Sequence, residues 1–279
     1  MAIDTLKRQF FSTIRLLCVC LLLTLATGCA GSPETRTKLD AIRSSETLRV
    51  GTTGDFVPFS YRRDGSGTLE GVDIAFARKL ANELGVHVEF VQTTWPTLMD
   101  DLLADKFDIG MSGITITPER LSIAFFSIPI MASGKVAITR DENAERFRTV
   151  ADINSAGVRV IVNPGGTNES FAREHFPQAT IVLNADNLTV FDKIISGAAD
   201  VMVTDAVEAA VQEIIHPDLE VTNRDAPFNT FEFGLLMPRD YALKNYVDHW
   251  IDNQGKDQTY RQLFDAELIM IETRAKDGG

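Results

Sequence analysis

From Leu48 onward, apolar runs of four to six residues alternate with stretches of helical period. Leu48–Gly51, His87–Gln92 and the buried run Ile109–Ser112 read as strands. Between them lie an amphipathic helix over Val72–Leu84, stopped by Gly85, and a second helix over Trp95–Asp105. The next hundred residues repeat the scheme, with strands at Arg159–Val162, Thr180–Leu183 and Val201–Thr204 and helices at Thr167–Phe176 and Asn187–Ser196. Strands separated by helices of this length predict an α/β chain with mostly parallel sheets.

The two halves also share residues. Leu98, Leu102, Asp108 and Ser112 recur as Val190, Ile194, Asp200 and Thr204, each 92 positions later, and a Phe-Ala-Arg triplet precedes each unit at Phe76 and Phe171. Two lobes on one plan are expected. Ligands of parallel sheets sit beyond the carboxyl ends of the strands, so Ser112 and Thr204 should face each other across a cleft. The apolar, β-prone stretches Ile138–Asp141 and Phe231–Leu236 are the expected crossings. That assigns 46–138 and 236–279 to lobe one and 139–235 to lobe two, with 30–45 as tether and first helix. Terminal helices over about 241–253 and 258–263 should return to lobe one.

Residues 1–29 read as a targeting segment. Lys7, Arg8 and Arg15 precede the apolar run Leu16–Leu25, which is short for a membrane-spanning helix. Cys29 stands in a lipoprotein-like box with Ala26 where a leucine is usual. Two outcomes follow: a lipid anchor at Cys29, or cleavage near Ala30 to give a soluble periplasmic protein. All three cysteines (Cys18, Cys20, Cys29) lie in this segment, so the body is expected to hold no disulfide and no thiolate metal site. Losing residues 1–28 removes three positive charges and one negative and takes the net charge from −12 to −14. Such a body repels nucleic acid, and any anion it binds must be gripped by local cations and amides.

Two motifs carry that kind of chemistry. Thr117 reads as an N-cap with Pro118 at the first helical position, which puts Arg120 on a first turn, placed to hold a carboxylate with two parallel hydrogen bonds. Gly165-Gly166-Thr167 joins a strand to a helix N-terminus, where backbone amides can approach an anion closely. The four histidines, His87, His175, His216 and His249, are scattered, and no pair has metal-ligand spacing.

Asp55…Pro58-Phe59, Gly71-Val72-Asp73-Ile74, Asp108–Gly113, Ile116–Arg120 and Gly165-Gly166-Thr167 together resemble the family 3 solute-binding proteins over about residues 40–265. Within that family, Thr52–Asp55, Pro58–Ser60, Trp95-Pro96, Phe126–Pro129, Asn163–Glu169 and Thr204–Ala209 are similar to the periplasmic cyclohexadienyl dehydratases. The resemblance implies a type II periplasmic-binding-protein fold, two α/β lobes joined by hinge strands. It also implies an enzyme that turns prephenate into phenylpyruvate, and L-arogenate into L-phenylalanine, with neither metal nor cofactor. The alternative is the amino-acid receptor of an ABC importer, with a permease as partner.

The same resemblance places a small carboxylate-bearing molecule among Ser112, Gly113, Thr115, Arg120, Gly166, Thr167 and Asn168. Phe56 and Trp95 would wall its ring, and Lys135 would be a second cation. Asp205 would take an ammonium, unless it only caps the helix beginning at Ala206. Glu169 receives the role of general acid, protonating the departing hydroxyl. A helix N-terminus opposes that role by favouring the carboxylate. One departure from the dehydratase pattern is Phe233, where those enzymes tend to carry a lysine.

Overall fold

The computed structural model describes residues 36–63, 67–256 and 258–277. The targeting segment and the candidate lipid-bearing Cys29 lie outside the described residues. Helix α1 (Lys38–Ser45), closed at its start by a capping box of Thr37 and Asp40, leads into strand β1 (Thr47–Thr52). There follow the short antiparallel strands β2 (Asp55–Phe56), β3 (Ser60–Arg62) and β4 (Leu69–Glu70), then α2 (Val72–Leu84), β5 (His87–Gln92), α3 (Leu98–Leu103), β6 (Ile109–Gly110), α4 (Pro118–Leu121) and β7 (Phe125–Phe126). Strand β8 (Met131–Ser133) opens the passage to a second set: β9 (Lys135–Arg140), α5 (Val150–Ile153), β10 (Arg159–Val162), α6 (Thr167–His175), β11 (Thr180–Leu183), a 3-10 turn (Asn187–Thr189), α7 (Val190–Ile195), β12 (Val201–Asp205), α8 (Ala206–Ile215) and β13 (Leu219–Val221). Strand β14 (Phe231–Phe233) pairs with β8, β15 (Leu236–Met237) rejoins the first set, and helices α9 (Tyr241–Lys256) and α10 (Thr259–Asp277) end the chain.

The first lobe's sheet has the order β5-β1-β6-β15-β7, and the second lobe's is β11-β10-β12-β9-β13. In each, three parallel strands run with the first in the middle, an antiparallel strand follows, and a fifth strand pairs antiparallel with that one at the edge. One plan is used twice, and the repeated aspartates show what it needs. Asp108, just before β6, accepts the Arg49 backbone N–H at 2.8 Å and the Arg49 guanidinium at 2.6 Å. Asp200, just before β12, does the same for Arg159, at 2.8 and 2.7 Å. Each carboxylate staples the third strand's entry to the first strand.

Burial follows the strand period. In lobe two, Val136, Ile138, Ile161 and Met202 pack on one face with Val190 and Ile194, while Ala137, Val160, Val162, Val201 and Val203 pack on the other with Phe171. Both faces of this sheet are therefore covered, as expected of a parallel core.

Two expectations are corrected. Strand β9 pairs with β12 from Lys135 through Thr139, so the chain has joined the second sheet before Ile138–Asp141. The crossing is β8, and Ile138 was apolar because it is core. Helix α10 is far longer than 258–263 and does not return to lobe one alone. It packs on α2 of the first lobe and α8 of the second. Ile271 sits among Val57, Tyr61 and Val211, and Tyr61 donates to Glu267 at 2.6 Å. Among the described residues no helix is long and apolar enough to cross a membrane.

Candidate active site

A small cavity of about 20 Å³ lies where the two sheets' carboxyl ends meet. Phe56, Trp95, Gly113, Thr115 and Arg120 line it from the first lobe; Asn163, Gly166, Thr167, Asn168, Asn187 and Asp205 line it from the second.

The first lobe brings a ring wall and a cation. Trp95 stands edge-on to Phe56 with centroids 5.6 Å apart, and its indole N–H donates to the Asp55 carboxylate at 3.2 Å. Behind Phe56 lies Phe59, and behind that the fully buried Phe233, centroids 5.1 and 5.0 Å apart. A lysine at 233 would lose this packing. Gly113 has φ of +62°, and a Cβ there would come within 2.7 Å of the Phe56 and Phe59 rings, so the wall requires glycine.

Arg120 sits as its motif predicts. Thr117 caps helix α4 and accepts the Arg120 N–H at 3.2 Å, with Pro118 in the first turn. The side chain is 8% exposed and donates to the Thr115 carbonyl at 2.8 Å. No carboxylate among the described residues forms an ion pair with it. Burial pulls its pKa down to about 10, against the pull of Glu119 and Asp205. A buried guanidinium with donors to spare is built to receive an anion from outside.

The second lobe brings the helix start. Gly166 caps α6 with no side-chain bond, so the first-turn amides of Thr167 and Asn168 are left for a ligand beside them. Gly165, with φ of +77°, packs so closely on Pro96 of the other lobe that a Cβ would stand 2.6 Å from that residue's Cα. The cleft is shut.

Several expected roles change. Lys135 does not line the pocket. Its ammonium donates to Asp205 and Asn168, and to Thr167 Oγ1 at 3.0 Å, and it lies 5.1 Å from the Phe231 ring centroid. Lys135 and Asp205 are 2% and 4% exposed and neutralise each other. Lys135 is thus not a free second cation, and Asp205, though it lines the pocket, is not a free seat for an ammonium. Nor does the Asp205 side chain cap α8. Breaking one half of such a pair strands the other charge. Lys135→Met should cost about 3 kcal/mol in urea unfolding, and adding Asp205→Asn should restore most of it.

Ser112 and Thr204 do not face each other across the cleft. Ser112 is fully buried in a hydroxyl cluster with Thr53 and Ser60, at 2.8 and 2.6 Å, and Thr204 is fully buried against Asn168 and Glu208. They brace the wall from behind.

The Glu169 carboxylate turns away from the pocket lining. It accepts the Gly165 N–H at 2.7 Å and the Arg173 guanidinium at 2.8 Å, and these bonds, the backbone one first, hold its pKa below the ordinary value. It is an anion closing its own helix start.

A different acid has the opposite environment. Glu208, in the first turn of α8, is 1% exposed. Burial pushes its pKa up to about 8, helped by Asp205 and Asp55 and opposed by the Thr204 hydrogen bond and Lys135. It sits one hydrogen bond behind the wall: Thr204 donates to one of its oxygens, and Asn187 Nδ2 approaches the other at 3.4 Å. At neutral pH it holds its proton. Asn163 and Asn187 are likewise wall residues outside the expected set.

Residues 48–266 match the family model of bacterial extracellular solute-binding proteins, family 3. The cyclohexadienyl dehydratase of Pseudomonas aeruginosa is 47% identical over 244 residues, 88% of this chain and 90% of that protein. The L-cystine-binding protein of Escherichia coli is 29% identical over 227 residues, 81% of this chain and 84% of that one. Among solved structures, an ancestral amino acid-binding protein described as a precursor of cyclohexadienyl dehydratase superposes with a TM-score of 0.76 at 39% identity, covering 83% of this chain and all of that one. An ancestral cyclohexadienyl dehydratase is 51% identical over 83% of this chain and 96% of its own, with a TM-score of 0.52. With two like-ordered sheets, paired hinge strands and a cleft between them, the chain belongs to the bacterial extracellular solute-binding proteins of family 3.

Proposed function

We propose that this protein is a periplasmic cyclohexadienyl dehydratase, which takes water and CO₂ from prephenate to give phenylpyruvate and from L-arogenate to give L-phenylalanine. The observation that carries the reading is Glu208: a carboxylic acid that keeps its proton near neutrality, one hydrogen bond from a cleft whose buried arginine has no ion-pair partner among the described residues. A receptor that only holds an amino acid has no use for a protonated acid there.

In this reading Arg120 grips one substrate carboxylate, and the amides at Thr167 and Asn168 supply further donors. Trp95 and Phe56 flank the ring. Glu208, which stands behind the wall, passes its proton to the ring hydroxyl through one bridging water, so the C–O bond breaks with water as leaving group. The bond from the ring to its carboxylate breaks as well, CO₂ departs, and that electron pair completes the aromatic ring. Glu208 is left as a carboxylate and regains a proton from solvent. Aromatisation drives the step, and one placed acid with anion-binding donors is sufficient machinery.

Purified protein given prephenate should produce phenylpyruvate. Because Glu208 must be protonated, kcat should stay level below about pH 8 and fall as pH rises through that value. Tight binding of an amino acid with no phenylpyruvate formed would instead favour the importer-receptor reading, with a permease as partner.

A further inference from the structure

We propose that Asn187 ties closure of the lobes to proton delivery: its amide nitrogen bridges Asp55 of the first lobe to Glu208 of the second, and its oxygen receives the hydroxyl that leaves. This rests on the dehydratase reading above.

The residue is held firmly. It opens the 3-10 turn Asn187–Thr189, where the Asp186 carboxylate accepts the Leu188 N–H at 3.1 Å, and it is 2% exposed. Its Nδ2 donates to the Asp55 carbonyl at 2.9 Å, a bond that spans the two lobes, and reaches Glu208 Oε1 at 3.4 Å. A backbone carbonyl can only accept, so this contact fixes which end of the amide faces it. The other end is Oδ1, a buried acceptor with no partner among the described residues, on a side chain that lines the cavity. A buried acceptor left alone is costly, and a ligand donor removes the cost.

The chemistry of that donor is restricted. Prephenate at neutral pH carries two carboxylates and a ketone, all acceptors, and one hydroxyl. Only the hydroxyl can serve Oδ1. Held there, its oxygen keeps a lone pair free for the Glu208 proton. When the lobes part, the Asp55 carbonyl is withdrawn and the amide loses the partner that orients it. Asn187 is thus a positioning residue that assembles the acid and the leaving group only in the shut cleft.

The charged groups facing Glu208 are Asp205 on β12, Asp55 on β2 and Lys135 on β9, and all remain when Asn187 is changed. The test uses Asn187→Leu, which keeps the shape without polar atoms, and Asn187→Asp, which keeps an oxygen but removes the N–H. With prephenate, both should lose about a hundredfold in kcat while KM stays within about threefold. The high-pH limb of kcat should also move up by about half a unit or more, since the Glu208 carboxylate has lost an N–H donor and releases its proton later. In Asn187→Leu, which adds no charge beside Glu208, a merely structural role would not move that limb. Should Asn187→Leu fail to fold, Asn187→Ala, which also adds no charge, carries the same readings. Wild-type turnover together with a foldable variant within threefold in kcat and an unmoved limb overturns the proposal. No turnover by the wild type overturns the dehydratase reading itself.

Discussion

Glu208→Gln is expected to lower kcat for prephenate by about a thousandfold and to make the folded protein more stable. Both effects come from the same burial. Glutamine keeps the shape and can still meet Thr204 and Asn187, but it has no acidic proton to give. Losing a general acid of this kind costs roughly 10²–10⁴ in rate, and KM should change little because Arg120 and the α6 amides are untouched. The stability effect follows from the two protonation states. Unfolded, the carboxyl has an ordinary pKa near 4.5; folded, it is raised to about 8. Between those values the folded state binds a proton that the unfolded state has released, so stability falls as pH rises across that window. By pH 8 the group has cost roughly 3–5 kcal/mol, at about 1.4 kcal/mol per unit. Glutamine carries no such penalty. At pH 8 the variant's Tm should lie about 5 °C or more above that of wild type, and the two should converge near pH 5. A variant within tenfold of wild-type kcat would remove Glu208 from the chemistry.

The sequence made one part of this site legible and hid the other for a physical reason. Arg120 was readable because Thr117-Pro118 is a local signal: the cap and the fixed proline φ act within four residues. The strands and helices around it follow from apolar period in the same way. Glu169 misled because its motif position pointed to the cleft, while Arg173 four residues on draws its carboxylate along the helix instead. That i, i+4 spacing was visible. So was one clue to Glu208, a lone acid in the apolar run Ala206-Val207-Glu208-Ala209-Ala210-Val211, on the face that Val211 and Gln212 bury. What no local pattern carries is pairing across the fold. Lys135 and Asp205 are 70 residues apart, and Asn187 and Asp55 are 132 apart. Their encounters depend on the order of strands and on closure. The repeated Asp108 and Asp200 marked the duplication, but their arginine partners, Arg49 and Arg159, became apparent only once β1 and β10 were seen at the centre of each sheet.

Arg120→Ala should reduce kcat/KM for prephenate by about a thousandfold and abolish the rise in Tm that ligand gives the wild type. The chain has a net charge of −12, so a dianionic substrate meets repulsion at long range. Attraction must be local and sheltered from that field. Arg120 supplies it from a site 8% exposed, one guanidinium nitrogen held by the Thr115 carbonyl and no protein carboxylate among the described residues as competitor. Removing one partner of a buried, hydrogen-bonded charge pair costs about 3–4 kcal/mol, a few hundredfold to a thousandfold in binding. Arg120→Lys keeps the charge but loses the planar fork, and its shorter, rotatable ammonium should recover only part of the loss, leaving about a hundredfold deficit. Salt separates the two contributions. Raising ionic strength from about 0.05 to 0.5 M screens the repulsion of the acidic surface but barely reaches a contact inside the shut cleft. Wild-type KM should therefore hold steady or fall with added salt. A KM that climbs steeply with salt would mean that exposed cations, and not Arg120, capture the substrate.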